Sequence, residues 1–172
     1  MADGYGRIGF YRSDPRSILE LDALHVSKSL ARVIRKGTYE IHVDRDFEAV
    51  IRACADRSDT WIGAEIIHAF VRFHEAGKAH SVEAYRDDEL VGGLYGVALG
   101  GAFMGESMFS HMRDASKVCL VHLVERLRSR GYVLLDCQIQ NEHLARLGAI
   151  EIPEREYLER LEHALILDRT FV

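Results

Sequence analysis

Asp136 and Gln138 stand two residues apart near the end of YVLLDCQI (132–139), a nearly continuous apolar run. Such a run reads as a buried strand, and a spacing of two puts both side chains on one face of it. A carboxylate in an apolar strand is costly to bury unless it is paired or used. Glu106 presents the same anomaly, flanked by Phe103, Met104, Met108 and Phe109. Two readings are open: strand-end residues that face water or close hydrogen bonds, or carboxylates and an amide gathered for acid–base chemistry. Alternation points Cys137 away from its two polar neighbours. It reads as a buried, inert thiol, because a reactive thiolate wants exposure and positive charge.

Other chemical signals fail their context tests. Gly4-Tyr5-Gly6-Arg7-Ile8-Gly9 matches GxGxxG, but the dinucleotide motif requires a strand before it and a helix after it. No strand can precede residue 4, and no helical pattern follows. His74-Glu75 opens HEAGKAH, yet position 78 is Lys and His80 lies beyond Gly77, so the one-turn spacing of a zinc helix is missing. No metal site is expected. Ser107 lies in GESMF and not in a GxSxG elbow. Lys28, Arg32 and Arg35 recur at intervals of four and three, hence on one helical face. Both a phosphate-binding surface and a solvated amphipathic face fit that spacing. Arg126, Arg128 and Arg130 form a second basic run, at a helix end where cations are favoured anyway.

The elements that must position these residues read as α+β. Ser27 caps a helix that Gly37 stops, 39–43 alternates like a strand, and 47–55 has helical spacing. In 64–75, Ile66, Ile67, Phe70, Val71 and His74 recur at helical intervals. AHSVEAY, ELVGGLYGVAL and GAFMGESMF then form an antiparallel meander, with hairpins at Asp87-Asp88 and Gly100-Gly101. Asp114 is placed to cap a long helix running to Arg130, before the strand YVLLDCQI. A helical stretch follows Asn141, and Pro153 opens a last helix carrying Tyr157, Leu158, Leu161 and Leu165. Residues 1–24 show weak periodicity, with Ser13-Asp14-Pro15-Arg16 reading as a turn.

The 172 residues suit one domain with a small appendage. With 48% hydrophobic and 28% charged residues, the composition is that of a globular protein. No apolar run approaches the roughly 20 residues of a membrane span, and no signal-peptide pattern opens the chain. Three cysteines without CxxC spacing argue against a disulfide framework and for a reducing cytoplasm. The net charge of -5 argues against a general nucleic-acid surface while permitting a local basic face.

HSVEAYRDDELVGGLYGVALG, then GESMFS, DASK, DCQ and HLARLGAIEIP, in that order, resemble the bacterial leucyl/phenylalanyl-tRNA–protein transferases. The resemblance runs from about Ser13 to the final helix. It implies transfer of Leu or Phe (less efficiently Met) from aminoacyl-tRNA to proteins beginning with Arg or Lys, which marks them for N-degron degradation. It also implies a GNAT-like (acyl-CoA N-acyltransferase-like) fold, with an antiparallel-centred mixed sheet flanked by helices, and no metal, cofactor or membrane. Carried over block by block, the catalytic pair falls on Asp136 and Gln138, with Glu106 and Asn141 near the same pocket. Trp61 matches a tryptophan near the substrate. The apolar aminoacyl pocket falls on Leu94, Met108, Leu120, Leu123, Leu127 and Leu135, which spacing alone reads as core. Lys28, Arg32 and Arg35 coincide with positions used toward the tRNA acceptor stem. Against the family pattern the chain reads as a short member, with 1–24 a remnant of the N-terminal segment and 25–172 the catalytic domain.

Two rival functions follow from the same features. An acetyl-CoA-dependent N-acetyltransferase would carry a Gly-rich pyrophosphate turn before the long helix, where this chain has SMFSHMRDASK. A non-catalytic binder of aminoacyl-tRNA, or of N-terminal Arg or Lys, would bind without forming product.

Overall fold

Local capping accounts for the first helices. The computed structural model describes residue 9 and residues 12–172, so most of the glycine motif at 4–9 lies outside the described residues. A strand β1 (Arg16–Ile18) precedes α1 (Lys28–Arg35). The Leu30 amide donates to the Ser27 hydroxyl at 3.2 Å to start α1, and Gly37, at φ +59°, follows its end. After β2 (Glu40–Val43), Asp46 caps α2 (Phe47–Ala55) by accepting from the Ala49 amide at 3.0 Å.

Next come α3 (Ala64–Glu75) and the meander β3 (Ala79–Arg86), β4 (Glu89–Leu99) and β5 (Ala102–Ser110). Asp87 and Asp88 both take positive φ in the first hairpin, as its tight turn requires. Two glycines of β4 permit close approach. A Cβ on Gly92 would lie 2.5 Å from the Ala115 methyl, and one on Gly96 2.3 Å from the Met104 carbonyl.

The remaining elements are α4 (Ala115–Ser129), β6 (Leu134–Gln138), α5 (Glu142–Arg146), β7 (Ile150–Ile152) and α6 (Glu154–Leu165). Asp114 precedes α4 but does not cap it by side chain. It sits in the left-handed region (φ +64°), and its carboxylate takes Lys117 Nζ at 2.7 Å.

The strands form one seven-stranded sheet in the order β2-β3-β4-β5-β6-β1-β7. Among the described residues β5–β6 is the one parallel pair, joined through α4, and the other pairs are antiparallel. β1 lies within the stretch 1–24 yet is an interior strand, bonded to β6 on one side and β7 on the other.

Apolar side chains divide the sheet into two faces. Val82, Ala84, Leu94, Phe103 and Leu135 pack with Leu120, Leu123, Val124 and Leu127 of α4, the largest share of the core. Leu30 of α1 packs on Val118 and Val121, so α1 lies on α4. On the other face, Tyr95 and Phe109 pack under α2 and α3, while Ala102, Leu134 and Ile152 pack under Tyr157 and Ala164 of α6.

Candidate active site

Glu106, Asp136 and Gln138 converge where the parallel ladder stops. β5 and β6 pair only at Ala102–Leu134, Phe103–Leu135 and Met104–Asp136, although both strands run on. Beyond Met104, the Gln138 side-chain amide donates to the Gly105 carbonyl at 3.2 Å. On its other side β5 carries a bulge. Tyr95 pairs with Ser107 and Gly96 with Gly105, leaving Glu106 without an opposite residue on β4. A bulge breaks the period-two alternation and re-aims its side chains, and it brings Glu106 beside Gln138. Burial pushes the Glu106 pKa up, a Gln138 hydrogen bond opposes this, the Asp136 charge raises it further, and Arg16 lowers it.

Asp136 is fully buried and fully partnered. Arg16 Nε donates to its Oδ1 at 3.0 Å and Arg16 Nη2 to its Oδ2 at 2.7 Å, the two-pronged geometry that guanidinium and carboxylate favour. The Tyr157 hydroxyl donates to Oδ2 at 2.9 Å and the Gln138 backbone N–H to Oδ1 at 2.8 Å. Burial lowers the Arg16 pKa, but bonding and charge from Asp136 outweigh it and the net shift is upward. Burial and the Asp136 charge both raise that of Tyr157. Two donors on each Asp136 oxygen thus fix the carboxylate in place. Gln138 sits beyond it in the left-handed region at φ +66°, sparsely used by residues with a side chain and enriched at functional turns.

Sequence spacing finds Asp136, Gln138 and Glu106 but misses Arg16 and Tyr157. A buried carboxylate demands a cation. That demand is visible in the sequence, but no spacing rule connects residues 120 positions apart.

Alternation holds for Cys137. It packs toward the α4 face, and burial plus the Asp136 charge push its pKa up to about 12. Trp61 packs beside the cluster under α2 and α3. The exposed Asn141 commits its side-chain oxygen to α5, accepting from the Leu144 amide at 2.9 Å. Leu94, Leu120, Leu123, Leu127 and Leu135 are buried together on the α4 face, with the half-buried Met108 packed against them. Asp136, by contrast, bonds to Tyr157 of α6 on the opposite face. Lys28, Arg32 and Arg35 are exposed on α1, and among the described residues no acidic side chain pairs with them. Surface hollows of about 490 Å³ (Val133, Glu156, Glu159, Arg160, His163) and about 720 Å³ (between Ile34, Tyr39, Val43, His122 and Arg126) lie away from Gln138.

Folding does bring His74 and His80 together with Asp44, which the spacing of HEAGKAH does not anticipate. One ring nitrogen of each histidine and both Asp44 oxygens are already engaged. His80 Nδ1 lies 2.7 Å from Asp44 Oδ2. His74 Nδ1 lies 2.9 Å from the Ala79 carbonyl, to which it must donate. The Ser81 amide donates to Asp44 Oδ1 at 2.8 Å. The cluster fastens the end of α3 to β3, with His74 stacked on Phe47 and His80 on Phe171, each at 4.5 Å.

The family model of leucyl/phenylalanyl-tRNA protein transferase matches residues 18–162. A leucyl/phenylalanyl-tRNA–protein transferase of Rubrobacter xylanophilus is 71% identical across 99% of this chain and 90% of its own length. One from Gloeobacter violaceus is 57% identical across 99% and 89%. Among solved structures, a conserved protein of unknown function from Bacteroides thetaiotaomicron superposes with a TM-score of 0.52 at 12% identity, over 92% of this chain and 58% of its own. Another functionally unknown protein, from Staphylococcus epidermidis, gives 0.51 at 11% identity, over 81% and 57%. At such identities these two speak for the fold alone. With its family model spanning most of the sheet and both sides of the Glu106–Gln138 site, the chain belongs to the leucyl/phenylalanyl-tRNA–protein transferase family.

Proposed function

We propose that the protein transfers Leu or Phe, and less efficiently Met, from aminoacyl-tRNA to the N-terminal Arg or Lys of acceptor proteins. The product would enter N-degron degradation in the cytoplasm. The observation that carries this reading is the meeting of Glu106, Asp136 and Gln138 at the end of the β5–β6 ladder, in a chain of this family. One parallel pair that parts beside a crossover helix is also the ground for reading the fold as GNAT-like.

The acceptor's α-amine attacks the ester carbonyl. The bond from that carbon to the tRNA ribose oxygen breaks, a peptide bond forms, and the amine's proton ends on the departing oxygen. The ester is already activated, so the protein's task is positioning and proton handling. At neutral pH most α-amines are protonated. Glu106 is a half-buried carboxylate with no salt-bridge partner among the described residues. It attracts the ammonium and takes up its proton. Gln138 donates its amide N–H to Gly105, which leaves its side-chain oxygen to hold the neutral amine against the ester. Asp136 acts through the Gln138 N–H as the anchor of that arrangement.

The side chain of the aminoacyl group would pass between the parted ends of β5 and β6 to Leu94, Met108, Leu120, Leu123, Leu127 and Leu135. Lys28, Arg32 and Arg35 would meet tRNA phosphates, while Trp61 and Asn141 would border the site. A coenzyme A reading fits poorly, because the Asp114 carboxylate stands at the start of α4, where pyrophosphate would need donors.

The test supplies Leu-tRNA or Phe-tRNA and a peptide beginning with Arg or Lys, and follows the extended peptide by mass. Gln138→Ala should lower kcat/KM by about 10²–10³-fold with the thermal midpoint preserved. Asp136→Asn is a poorer probe. It leaves the half-buried Arg16 without its anion in a pair whose loss costs up to about 3–5 kcal/mol when fully buried. Near-normal transfer by Gln138→Ala would refute the assignment, and tRNA binding without any product would favour a non-catalytic binder.

A further inference from the structure

The segment leading into β1 grips the Gln138 turn at several points. The Ser13 hydroxyl donates to the Gln138 carbonyl at 2.9 Å, while Arg16 holds the carboxylate that receives the Gln138 N–H. Both peptide groups of the left-handed residue are therefore fixed, one directly and one through Asp136. Ser17 and Gln138 face each other in register, with a bulge on β6 before Ile18 pairs with Asp136. The Ser17 hydroxyl reaches Gln140 Oε1 at 3.1 Å.

The same segment is moored to α6. The Glu154 amide donates to Asp14 Oδ1 at 3.1 Å, and Arg12 pairs with Glu154 at 2.6 Å. Tyr157, on the next turn, closes the loop. It bonds to Asp136, and the Arg16 guanidinium lies over its ring at 4.9 Å.

A left-handed conformation at a residue with a side chain costs about 1–3 kcal/mol unless its surroundings impose it. These contacts are the surroundings. We propose that Ser13, Arg16 and Tyr157 are positioning residues for transfer, forming a strap that imposes the Gln138 backbone conformation and so aims its side chain. The inference rests on the reading of Gln138 as the group that holds the acceptor amine.

Ser13→Ala and Tyr157→Phe each remove one hydroxyl and leave the Arg16–Asp136 pair in place. Arg16→Lys keeps the charge and loses the fork. Each should lower kcat about tenfold or more while KM moves little, because small misplacement of a reacting group is costly. Thermal midpoints of the two hydroxyl variants should stay within a few degrees of the parent.

A double-mutant cycle separates positioning from general support. In a Gln138→Ala background, Ser13→Ala should have no further effect on the residual rate. A purely structural role would give the same factor in both backgrounds. The strap is overturned if Ser13→Ala and Tyr157→Phe turn over within twofold of the parent while Gln138→Ala is impaired. If Gln138→Ala itself is near normal, the Gln138 reading fails first, and the two failures are told apart.

Discussion

Two carboxylates of one site are held in opposite ways. Asp136 has a guanidinium, a phenol and an amide around it. Glu106 is held above the ordinary carboxylate range by burial, with a Gln138 hydrogen bond as the main opposing contribution. A folded-state pKa raised above the unfolded value means that the folded protein binds this proton more tightly. Stability linked to Glu106 is therefore present below the unfolded pKa of about 4.3 and declines as pH rises through the folded value. Glu106→Gln should raise the thermal midpoint at pH 7–8, and the gain should vanish near pH 4, while transfer falls at every pH. Paired melts across that range, with the mass assay alongside, check both halves. An equal midpoint at neutral pH would mean that the anion is not strained by burial. Stability given up at a residue that activity requires is the pattern expected of a working site.

At the scale of elements, α1 is fastened by Ser27 and by Leu30 against α4, which leaves its basic face turned outward. Arg32→Glu with Arg35→Glu should leave folding intact, weaken aminoacyl-tRNA binding and flatten its salt dependence. The log–log slope should fall by about 0.9 for each duplex phosphate that is no longer neutralised. Binding measured at several salt concentrations checks it, and an unchanged slope would discard this face.

How much of the architecture is legible in the sequence follows the same scale. The helices at 28–35, 47–55 and 64–75 and the Asp87-Asp88 hairpin are legible because caps and turns are local chemistry. The three-residue β1 and β7 are not, because a turn-like Asp14-Pro15 and a short IEI carry no period of their own and become strands only by pairing. Asp136 and Gln138 are legible as polar residues in an apolar run. The bulge at Glu106 is not, since one extra residue on β5 is defined by what β4 lacks.

Taken whole, the molecule is a sheet that separates two kinds of surface. Its α4 face carries the continuous apolar cluster, with α1 and its exposed cations packed on the same helix. The opposite face holds α6 with the Arg16–Asp136–Tyr157 network. On the proposed reading, an aminoacyl group whose side chain goes to one face and whose ester is attacked from the other would cross the sheet in the interval where β5 and β6 part. Gly105 borders that interval. A Cβ added there would meet only the Asp136 carbonyl, at 3.4 Å, an ordinary contact, and its φ is not in the left-handed region. Gly105→Ala should therefore fold as the parent does, with a midpoint within a few degrees, whereas Gly105→Val places two further methyl groups beside the interval. Transfer should fall modestly for Ala and by about tenfold or more for Val, with aminoacyl-tRNA binding through α1 retained, because crowding acts on the reacting group and not on distant phosphates. Normal turnover by a folded Gly105→Val protein would show that the substrate stays on one face, and the six apolar residues would then be core and nothing more.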